Sequence, residues 1–310
     1  MDKSMSLVEF FEQMFFTPKI YHIPIIILLL PLSIIYGIFM SIRRVITVQK
    51  EFDTPIISVG NLIVGGSGKT PFTIALARRY EGVFIISRGY GRQSQGLVCV
   101  SDCGEILTTV ESSGDEPMLM AQSLPKASVI VSEDRQKAIR VAQTKGAKLI
   151  ILDDGFNRVD IVKFEILLEP KEIKNPLPFP AGAFREFYFN RYYADIVVKE
   201  DREFQRVVSF VDLTPKMILA TAISNPQRLE PYLPKGVVHK YYLEDHAYFD
   251  EDELKRLLSK HQATSILCTQ KDIVKMQNFQ LPLSQMKLKF VINQDIFIRV
   301  DEYIKGYENA

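Results

Sequence analysis

A glycine-rich turn that ends in lysine and threonine is the strongest chemical signal in this sequence. An apolar run at 55–59 precedes the turn and a helical period at 69–80 follows it. Backbone N–H groups in such a turn surround phosphate oxygens, the lysine reaches the β- and γ-phosphates, and the threonine hydroxyl binds Mg²⁺. The strict pattern has a further glycine where this chain has Ile63, but the core of the turn is complete. We predict a nucleoside triphosphate site at Gly65, Gly66, Ser67, Gly68, Lys69 and Thr70.

Two pairs of acidic residues stand where a phosphate-loop protein needs carboxylates. Asp153 and Asp154 follow the apolar residues 149–152, and a carboxylate at the end of a strand beside the loop organises Mg²⁺. The alternative is ordinary turn chemistry, because Asp and Gly both favour turns. Asp115 and Glu116 begin a helix-like run, where they could hold a metal and accept a proton, or where Asp115 could simply cap the helix. The pattern alone leaves both alternatives open.

Histidine and arginine supply the remaining candidates. Of the four histidines, His246 is the one with an acidic neighbour, although an isolated histidine is more often structural than catalytic. Arg88, Arg92 and Arg185 lie in glycine-containing segments, from which a guanidinium can bind a phosphate in bidentate fashion. The alternative for these arginines is a solvated surface position.

The chain that positions these residues alternates between short apolar runs and helical periods after residue 50. Candidate strands lie at 55–59, 83–86, 127–131, 148–152, 164–168 and 195–198, with helices such as 69–80 and 133–145 between them. Alternation of this kind predicts a parallel sheet covered by helices.

A second, weaker alternation runs from residue 217 to about 291. It contains candidate strands at Met217–Thr221, Val237–Tyr242 and 265–268 and a helix at 250–261, whereas 201–215 has the pattern of a connector. We therefore predict an α/β protein with a phosphate-loop NTPase-like parallel sheet domain at 51–210. A second, smaller α/β domain is expected at 211–310, with a last helix that could pack back on the first domain.

The first fifty residues are unusually apolar. Residues 20–42 contain no Asp, Glu, Lys or Arg, and as a helix they would reach roughly 34 Å, enough for about 30 Å of hydrocarbon. Pro24, Pro31 and Gly37 argue against a regular span. We predict that 1–50 is a membrane-associating helical segment, spanning or in the membrane plane. The alternative is a helical hairpin buried on the protein's own core.

Composition excludes several classes of protein. With 47% hydrophobic and 24% charged residues, the 310-residue chain can bury a sizeable core and is not disordered. The net charge of +1 argues against a nucleic-acid partner bound through a strong basic field. Three cysteines offer neither a disulfide framework nor a paired zinc site, which is typical of a reducing, cytosolic environment.

Several short motifs occur in a fixed order between residues 55 and 272. They are SVGN-x₃-GGSGKTP, SRGYGR, GDEP, SEDR, DDGF, PAG-x-x-RE and, at 245–246, DH. This series resembles the tetraacyldisaccharide 4′-kinases, the lipid A kinases of Gram-negative bacteria. The phosphate-loop context together with SRGYGR and GDEP is much more specific than a nucleotide-binding loop alone.

The resemblance implies a transferase that uses ATP and Mg²⁺ to phosphorylate the 4′-hydroxyl of a tetraacyldisaccharide 1-phosphate, a lipid A precursor. It also implies a monotopic enzyme in contact with lipid on the cytoplasmic face of the inner membrane. Asp115 would be the base, His246 would support it, and Lys69 would neutralise charge on the transferred group. The predicted site therefore comprises the catalytic candidates Asp115, His246, Lys69, Asp153 and Asp154, the metal ligands Thr70, Glu116 and Asp153, and the substrate-binding residues Arg88, Arg92 and Arg185.

The chain departs from the family pattern at a few positions. Asn157 and Arg158 replace the usual Gln-His after DDGF, and Phe187 and Gln270 replace prolines. These changes put the roles near Asn157 and Phe187 in doubt and leave the catalytic acids untouched.

Two other functions remain as alternatives. A phosphate-loop GTPase or ATPase of the metallochaperone type is one, because Thr269-Gln270-Lys271-Asp272 resembles a guanine-reading pattern with its spacing off by one. A nucleotide-gated membrane adaptor is the other; it would bind ATP and phosphorylate no lipid, and its Asp115 would be only a cap.

Overall fold

A mostly parallel sheet forms the centre of the first part of the chain. The structure is a computed structural model that describes residues 7–65 and 68–308, and within these ranges the sheet has eight strands. The strands are β1 (Ile56–Gly60), β2 (Val83–Ser87), β3 (Val98–Asp102), β4 (Glu105–Ile106), β5 (Ser128–Val131), β6 (Leu149–Asp153), β7 (Phe164–Glu169) and β8 (Ile196–Lys199). Their order is β4-β3-β5-β2-β6-β1-β7-β8, with β3 antiparallel to both of its neighbours. The predicted parallel α/β sheet is confirmed.

Helices cover both faces of this sheet, which explains why its central strands are mostly apolar and are buried at every position. The helices of this part are α1 (Leu7–Phe16), α2 (Ile23–Ile46), α3 (Lys69–Ala77), α4 (Val110–Ser113), α5 (Asp115–Ser123) and α6 (Arg135–Thr144), of which α3, α5 and α6 pack on the sheet. Ile57 and Ile151 pack in the cluster that contains α3 and α5, whereas Ile56 and Ile150 pack in the cluster that contains α6. The alternation along each strand therefore sends neighbouring side chains into two different cores.

A second sheet of five strands follows within the described residues. It contains β9 (Phe204–Val211), β10 (Met217–Thr221), β11 (Val237–Tyr242), β12 (Ser265–Thr269) and β13 (Leu283–Ile292) in the order β11-β10-β12-β13-β9. Its helices are α7 (Glu251–His261) and α8 (Gln270–Ile273), and the last helix of the chain is α9 (Gln294–Glu308). The predicted connector at 201–215 is wrong, because β9 is a strand that pairs antiparallel with β13.

The end of the chain returns to the first sheet. Phe290, Ile296 and Val300 belong to the same buried cluster as α3. The Tyr303 hydroxyl donates to the Ile56 carbonyl at 3.0 Å. Residues 204–210, which we predicted as part of the first domain, lie in the second sheet. The division of the chain into domains otherwise stays a prediction.

The N-terminal helices attach to the body by one face. Gly37 of α2 lies against the ring of Phe187, where an added Cβ would be 2.6 Å away, and the Ser33 hydroxyl donates to the Pro178 carbonyl at 2.6 Å. Most of α2 is exposed, including Leu28 at 77%. Within the described residues, Ile20–Ile46 is the one helix long and apolar enough to cross a membrane, with a mean hydropathy of 2.6. A fully buried hairpin is therefore excluded for α2.

Candidate active site

The phosphate loop leaves β1 and enters α3 as the sequence predicts. Gly65 and Gly68 have φ values of +92° and +85°, a left-handed conformation that favours glycine. The Lys69 ammonium lies 3.2 Å from Asn61 Oδ1 and 3.6 Å from Asp154 Oδ1. Gly66 and Ser67, two of the predicted nucleotide-binding residues, lie outside the described residues. Sequence reasoning did not select Asn61 as a site residue, although it stands in the SVGN motif.

Asp153 ends β6 beside β1 and is almost completely buried. Its carboxylate accepts hydrogen bonds from Ser87 Oγ at 3.1 Å and from Thr73 Oγ1 at 3.5 Å. Burial, reinforced by the charges of Glu116 and Asp154, raises the pKa of Asp153 to about 7. A bound cation would oppose this effect and favour the ionised carboxylate.

Asp154, the next residue, contacts two cationic side chains, Lys69 and Arg185. Its φ of +52° is left-handed, and Arg185 Nη1 lies 3.0 Å and 2.9 Å from its two carboxylate oxygens. Burial works to raise the pKa of Asp154, but the charges of Lys69 and Arg185 outweigh it and lower that pKa. Asp154 therefore stays ionised and joins Lys69 to Arg185.

Asp115 meets His246, which comes from the loop between β11 and α7. His246 Nδ1 lies 2.9 Å and 3.1 Å from the two carboxylate oxygens of Asp115. Gly114 is the N-cap residue of α5 and Asp115 is its first helical residue, so the alternative of Asp115 as a cap does not hold. The aspartate and the histidine thus form a pair across the two sheets.

Two lysines of the second part complete the surroundings of Asp115. Lys271 Nζ and Lys275 Nζ lie 3.6 Å and 3.3 Å from Asp115 Oδ2. Burial would raise the pKa of Asp115, but the hydrogen bond with His246 and the charges of Lys271 and Lys275 lower it to about 2. Sequence reasoning missed both lysines as site residues, because they lie far from Asp115 in the chain.

The motif that resembled a guanine-reading pattern has a different role. Asp272 is fully buried, and its carboxylate accepts hydrogen bonds from Thr221 Oγ1 at 2.7 Å and from the Ala222 N–H at 2.9 Å. Thr269 caps α8, because its Oγ1 accepts from the Asp272 N–H at 3.3 Å, and the same hydroxyl donates to the Asp272 carboxylate at 2.6 Å. Asp272 is therefore a structural residue that holds α8, and Lys271 points from this helix toward the acids of the first part.

A cavity of about 720 Å³ lies between the two sheets and joins most of these groups. Asp115 does not line it: this residue is only 4% exposed and touches His246, whose side chain is 20% exposed and does line it. The predicted residues on the cavity wall are Gly65, Gly68, Lys69, Thr70, Arg88, Glu116, Asp153, Asp154, Arg185 and His246. Other wall residues, which the sequence did not single out for a role, include Ser87, Tyr90, Asn157, Arg206, Arg228 and Lys271.

Arg92 is the predicted substrate-binding residue that the structure places elsewhere. Its guanidinium lies 2.5 Å from Glu133 Oε1 and donates to the Gly96 carbonyl, and its side chain is 3% exposed. It is not part of the cavity wall. Arg92 therefore braces the loop after SRGYGR, because both of its Nη atoms donate to groups within the protein.

The donor groups of the cavity fit Mg²⁺. Residues 7–65 and 68–308 contain no group of three or more His, Cys, Asp or Glu that could hold a metal ion by itself. A magnesium ion on a nucleotide needs only one or two protein oxygens, because phosphates and water supply the rest. Thr70, Glu116 and Asp153 offer oxygens on the same wall, and the ionised form of buried Asp153 is one that a cation would stabilise.

The sequence matches one family over nearly its whole length. The family model described as tetraacyldisaccharide-1-P 4′-kinase (LpxK) matches residues 25–214 and 210–304. Proteins named tetraacyldisaccharide 4′-kinase are similar to this chain in Helicobacter pylori strain HPAG1, at 45% identity, and in Campylobacter jejuni strain RM1221, at 41% identity. Each of these alignments covers 96% of this chain and 96% of the relative.

A solved structure is similar as well. It is the crystal structure of an "apo" form of LpxK from Aquifex aeolicus in complex with ATP, which is 28% identical to this chain. The two superpose with a TM-score of 0.76 over 91% of this chain and 99% of the other. The likeness therefore extends over both sheets.

Proposed function

The chain belongs to the tetraacyldisaccharide-1-phosphate 4′-kinase family, and from that premise we propose how its cavity carries out the reaction. The enzyme transfers the γ-phosphate of ATP to the 4′-hydroxyl of a tetraacyldisaccharide 1-phosphate, a lipid A precursor. The observation that carries the proposal is the 2.9 Å contact between Asp115 and His246 at the wall of the cavity that also holds Lys69. A proton acceptor and a phosphate loop then face the same space.

The phosphate loop and its neighbours act on the nucleotide. The loop N–H groups and Lys69 bind the phosphates and neutralise charge as the γ-phosphoryl group moves. Thr70, Asp153 and Glu116 would hold Mg²⁺, which supplies further charge neutralisation on the phosphate oxygens. Asp154 keeps Lys69 and Arg185 in place through contacts of 3.6 Å and 2.9 Å. The arrangement favours alignment of the reacting groups over covalent catalysis.

The Asp115–His246 pair acts on the acceptor. A sugar hydroxyl is a poor nucleophile at neutral pH, so a group that takes its proton accelerates the transfer. The resemblance implies that Asp115 is the base, but an acid with a pKa of about 2 that lies behind the imidazole is poorly suited to meet the hydroxyl directly. We assign the first contact to His246, with Asp115 orienting the ring and stabilising its protonated form.

Arginine side chains of the first part favour an anionic substrate. Arg88 is exposed on the cavity wall, and Arg185 lies on the same wall beside Asp154. A guanidinium binds phosphate oxygens in bidentate fashion. Arg88 and Arg185 are therefore the proposed substrate-binding residues, whereas Arg92, which does not line the cavity, has no such role.

The N-terminal helices seat the enzyme on the membrane. Ser33, Arg43 and Arg44 of α2 all hydrogen-bond to the body, so roughly 16 Å of the helix, at 1.5 Å per residue, is attached by one face. A helix attached in this way cannot be surrounded by lipid, which favours an in-plane, monotopic position. Because ATP is a cytosolic substrate, we place the enzyme on the cytoplasmic face of the inner membrane.

A direct transfer assay tests the function. Purified full-length protein is incubated with γ-labelled ATP, Mg²⁺ and detergent-dispersed tetraacyldisaccharide 1-phosphate, and the lipid is separated and counted. We expect the wild-type protein to form a labelled bisphosphorylated lipid. GTP should be a poorer phosphate donor than ATP, and Lys69→Ala should abolish formation of the product. Hydrolysis of ATP or GTP with no label in the lipid would favour the metallochaperone-type alternative.

A further inference from the structure

The segment that precedes β8 carries an exposed aromatic surface. We call residues 187–193 the aromatic loop. Its side chains Phe189, Tyr192 and Tyr193 are 56%, 79% and 52% exposed. Clustered exposure of large apolar side chains marks an interaction surface in a soluble protein.

The aromatic loop is fixed against α2. The ring of Phe187 lies against Gly37, and Asn190 Nδ2 donates to Ser41 Oγ at 3.4 Å. The Arg44 guanidinium lies 5.1 Å from the centre of the Tyr193 ring. These contacts hold the aromatic loop beside the attached face of α2, and Phe189 stacks on Phe187 at 5.1 Å. The exposed rings therefore lie next to a helix whose opposite face is exposed and apolar.

The chemistry of this surface fits a lipid bilayer. Tyr side chains, with an apolar ring and a polar tip, favour the boundary between hydrocarbon and water. The nearby cations are already paired, since Arg191 lies 3.2 Å from Glu169 and Arg44 lies 2.8 Å from Glu186. Electrostatic attraction to anionic headgroups is therefore weak here, and apolar insertion dominates.

We propose that the aromatic loop is a second membrane-contacting element, which inserts Phe189 and Tyr192 into the bilayer interface beside α2. The inference rests on the membrane attachment through α2 that is proposed above, and it adds a membrane contact outside the N-terminal helices. Arg185, two residues before the loop, lies on the cavity wall and binds Asp154. The depth of the loop in the interface thus sets the height of the cavity above the bilayer, where a lipid-anchored sugar must reach it.

A single tryptophan tests the insertion, because the chain contains no natural one. Full-length Tyr192→Trp is mixed with vesicles of phosphatidylethanolamine and phosphatidylglycerol, and its emission is recorded at low and high salt. We expect a blue shift at both salt concentrations. Leu107→Trp is the matched control, since Leu107 is 49% exposed just after β4, at the opposite edge of the sheet from β8. An unshifted Tyr192→Trp spectrum with vesicle-bound protein would overturn the proposal.

Vesicle sedimentation distinguishes insertion of the aromatic loop from membrane attachment through α2. Phe189→Ser/Tyr192→Ser is expected to reduce partitioning at least about tenfold, with thermal unfolding and kinase activity in detergent micelles unchanged. Leu28→Ser/Ile35→Ser reports on α2 alone. If only the α2 variant loses vesicle binding, the proposed role of the aromatic loop is wrong. If both variants bind vesicles as the wild type does, the proposed membrane attachment through α2 is wrong as well. Activity in micelles tests the kinase function independently of either result.

Discussion

The charge of Asp115 depends on residues that the sequence places more than a hundred positions away. His246, Lys271 and Lys275 all come from the second part of the chain and contact the same carboxylate. GDEP and the DH pair were identified by resemblance, but no local pattern connects a lysine after β12 to an acid at the start of α5. Tertiary contacts of this kind arise from the packing of two sheets and leave no periodic trace in the sequence.

Replacing His246 tests the proposed order of proton transfer. His246→Ala is expected to lower kcat by about 10²-fold or more and to change the pH dependence of kcat, because the group nearest the hydroxyl is lost. The KM for ATP should stay within about twofold. His239→Ala is the control, since this residue lies on β11 and stacks on His261, away from the cavity wall. An unchanged pH profile would remove His246 from the mechanism.

Lys275 is a positioning residue in this account. Its ammonium contacts Asp115 and donates to the carbonyl of Ala247, next to His246, at 3.1 Å. Lys275→Met is expected to lower kcat about tenfold with little change in the KM for ATP, and Lys275→Arg should recover part of the loss. Lys255→Met, which breaks an exposed pair on α7, is the control.

Lys275→Met is also expected to change the pH dependence of the free energy of unfolding. The lowered pKa of Asp115 stabilises the fold above the ordinary Asp pKa, and this contribution is lost as pH falls toward 2. The loss of unfolding free energy in Lys275→Met should therefore be larger at pH 7 than at pH 3. A loss of unfolding free energy that does not depend on pH would contradict a role for the Lys275 charge.

Asp153 gives the opposite dependence on pH. Its pKa is raised to about 7, so its contribution to stability is present below the ordinary Asp pKa and is lost as pH rises through 7. Asp153→Asn should therefore unfold at a higher temperature than wild type at pH 8 without nucleotide or metal, and the difference should shrink at pH 5. Calorimetry at both pH values measures this, with the exposed Asp252→Asn as control. An equal difference in unfolding temperature between variant and wild type at both pH values would argue against a raised pKa of the buried Asp153 carboxyl.

At the scale of elements, the fully buried strands were predicted, whereas the largely exposed strand β9 was interpreted as a connector. The strands β1, β2 and β6 are buried at every position, so their sequences are short apolar runs bounded by turns. In β9, by contrast, exposed and half-buried residues predominate, and its partner β13 lies more than seventy residues later. Its identity as a strand depends on that distant pairing, which a local pattern does not contain.

The packing of β13 on the phosphate loop can be tested within that one strand. The Phe290 ring lies against Gly68, where an added Cβ would be 2.8 Å away, and stacks on Phe204 at 4.8 Å. Phe290→Ala is expected to cost about 3 kcal/mol of unfolding free energy and to raise the KM for ATP, because the loop loses a supporting surface. Val291→Ala, at a neighbouring position that is 56% exposed, should be nearly neutral. Equal effects of the two variants, measured by denaturant unfolding and by kinetics, would contradict this coupling.

At the scale of the whole molecule, the reaction space exists only because the two sheets meet. Lys69 and Asp153 come from the first sheet's part, His246 and Lys271 come from the second, and the aromatic loop lies beside α2. The sequence motifs predicted the family, the fold and the residues of the phosphate loop. Through the resemblance they also paired Asp115 with His246. They did not predict that Asp115 is buried or that Arg92 pairs with Glu133, since burial and pairing are properties of the assembled chain.

Single-turnover phosphoryl transfer in Asp115→Asn is the most direct test of the pair at the centre of this account. Wild type and variant are saturated with labelled ATP and mixed with the tetraacyldisaccharide 1-phosphate, and nucleotide binding is measured separately by calorimetry. The account predicts ATP affinity within about twofold and a transfer rate reduced at least about 10²-fold, because the amide leaves the imidazole without its carboxylate partner. Transfer at close to the wild-type rate in a folded, ATP-bound Asp115→Asn enzyme would contradict it.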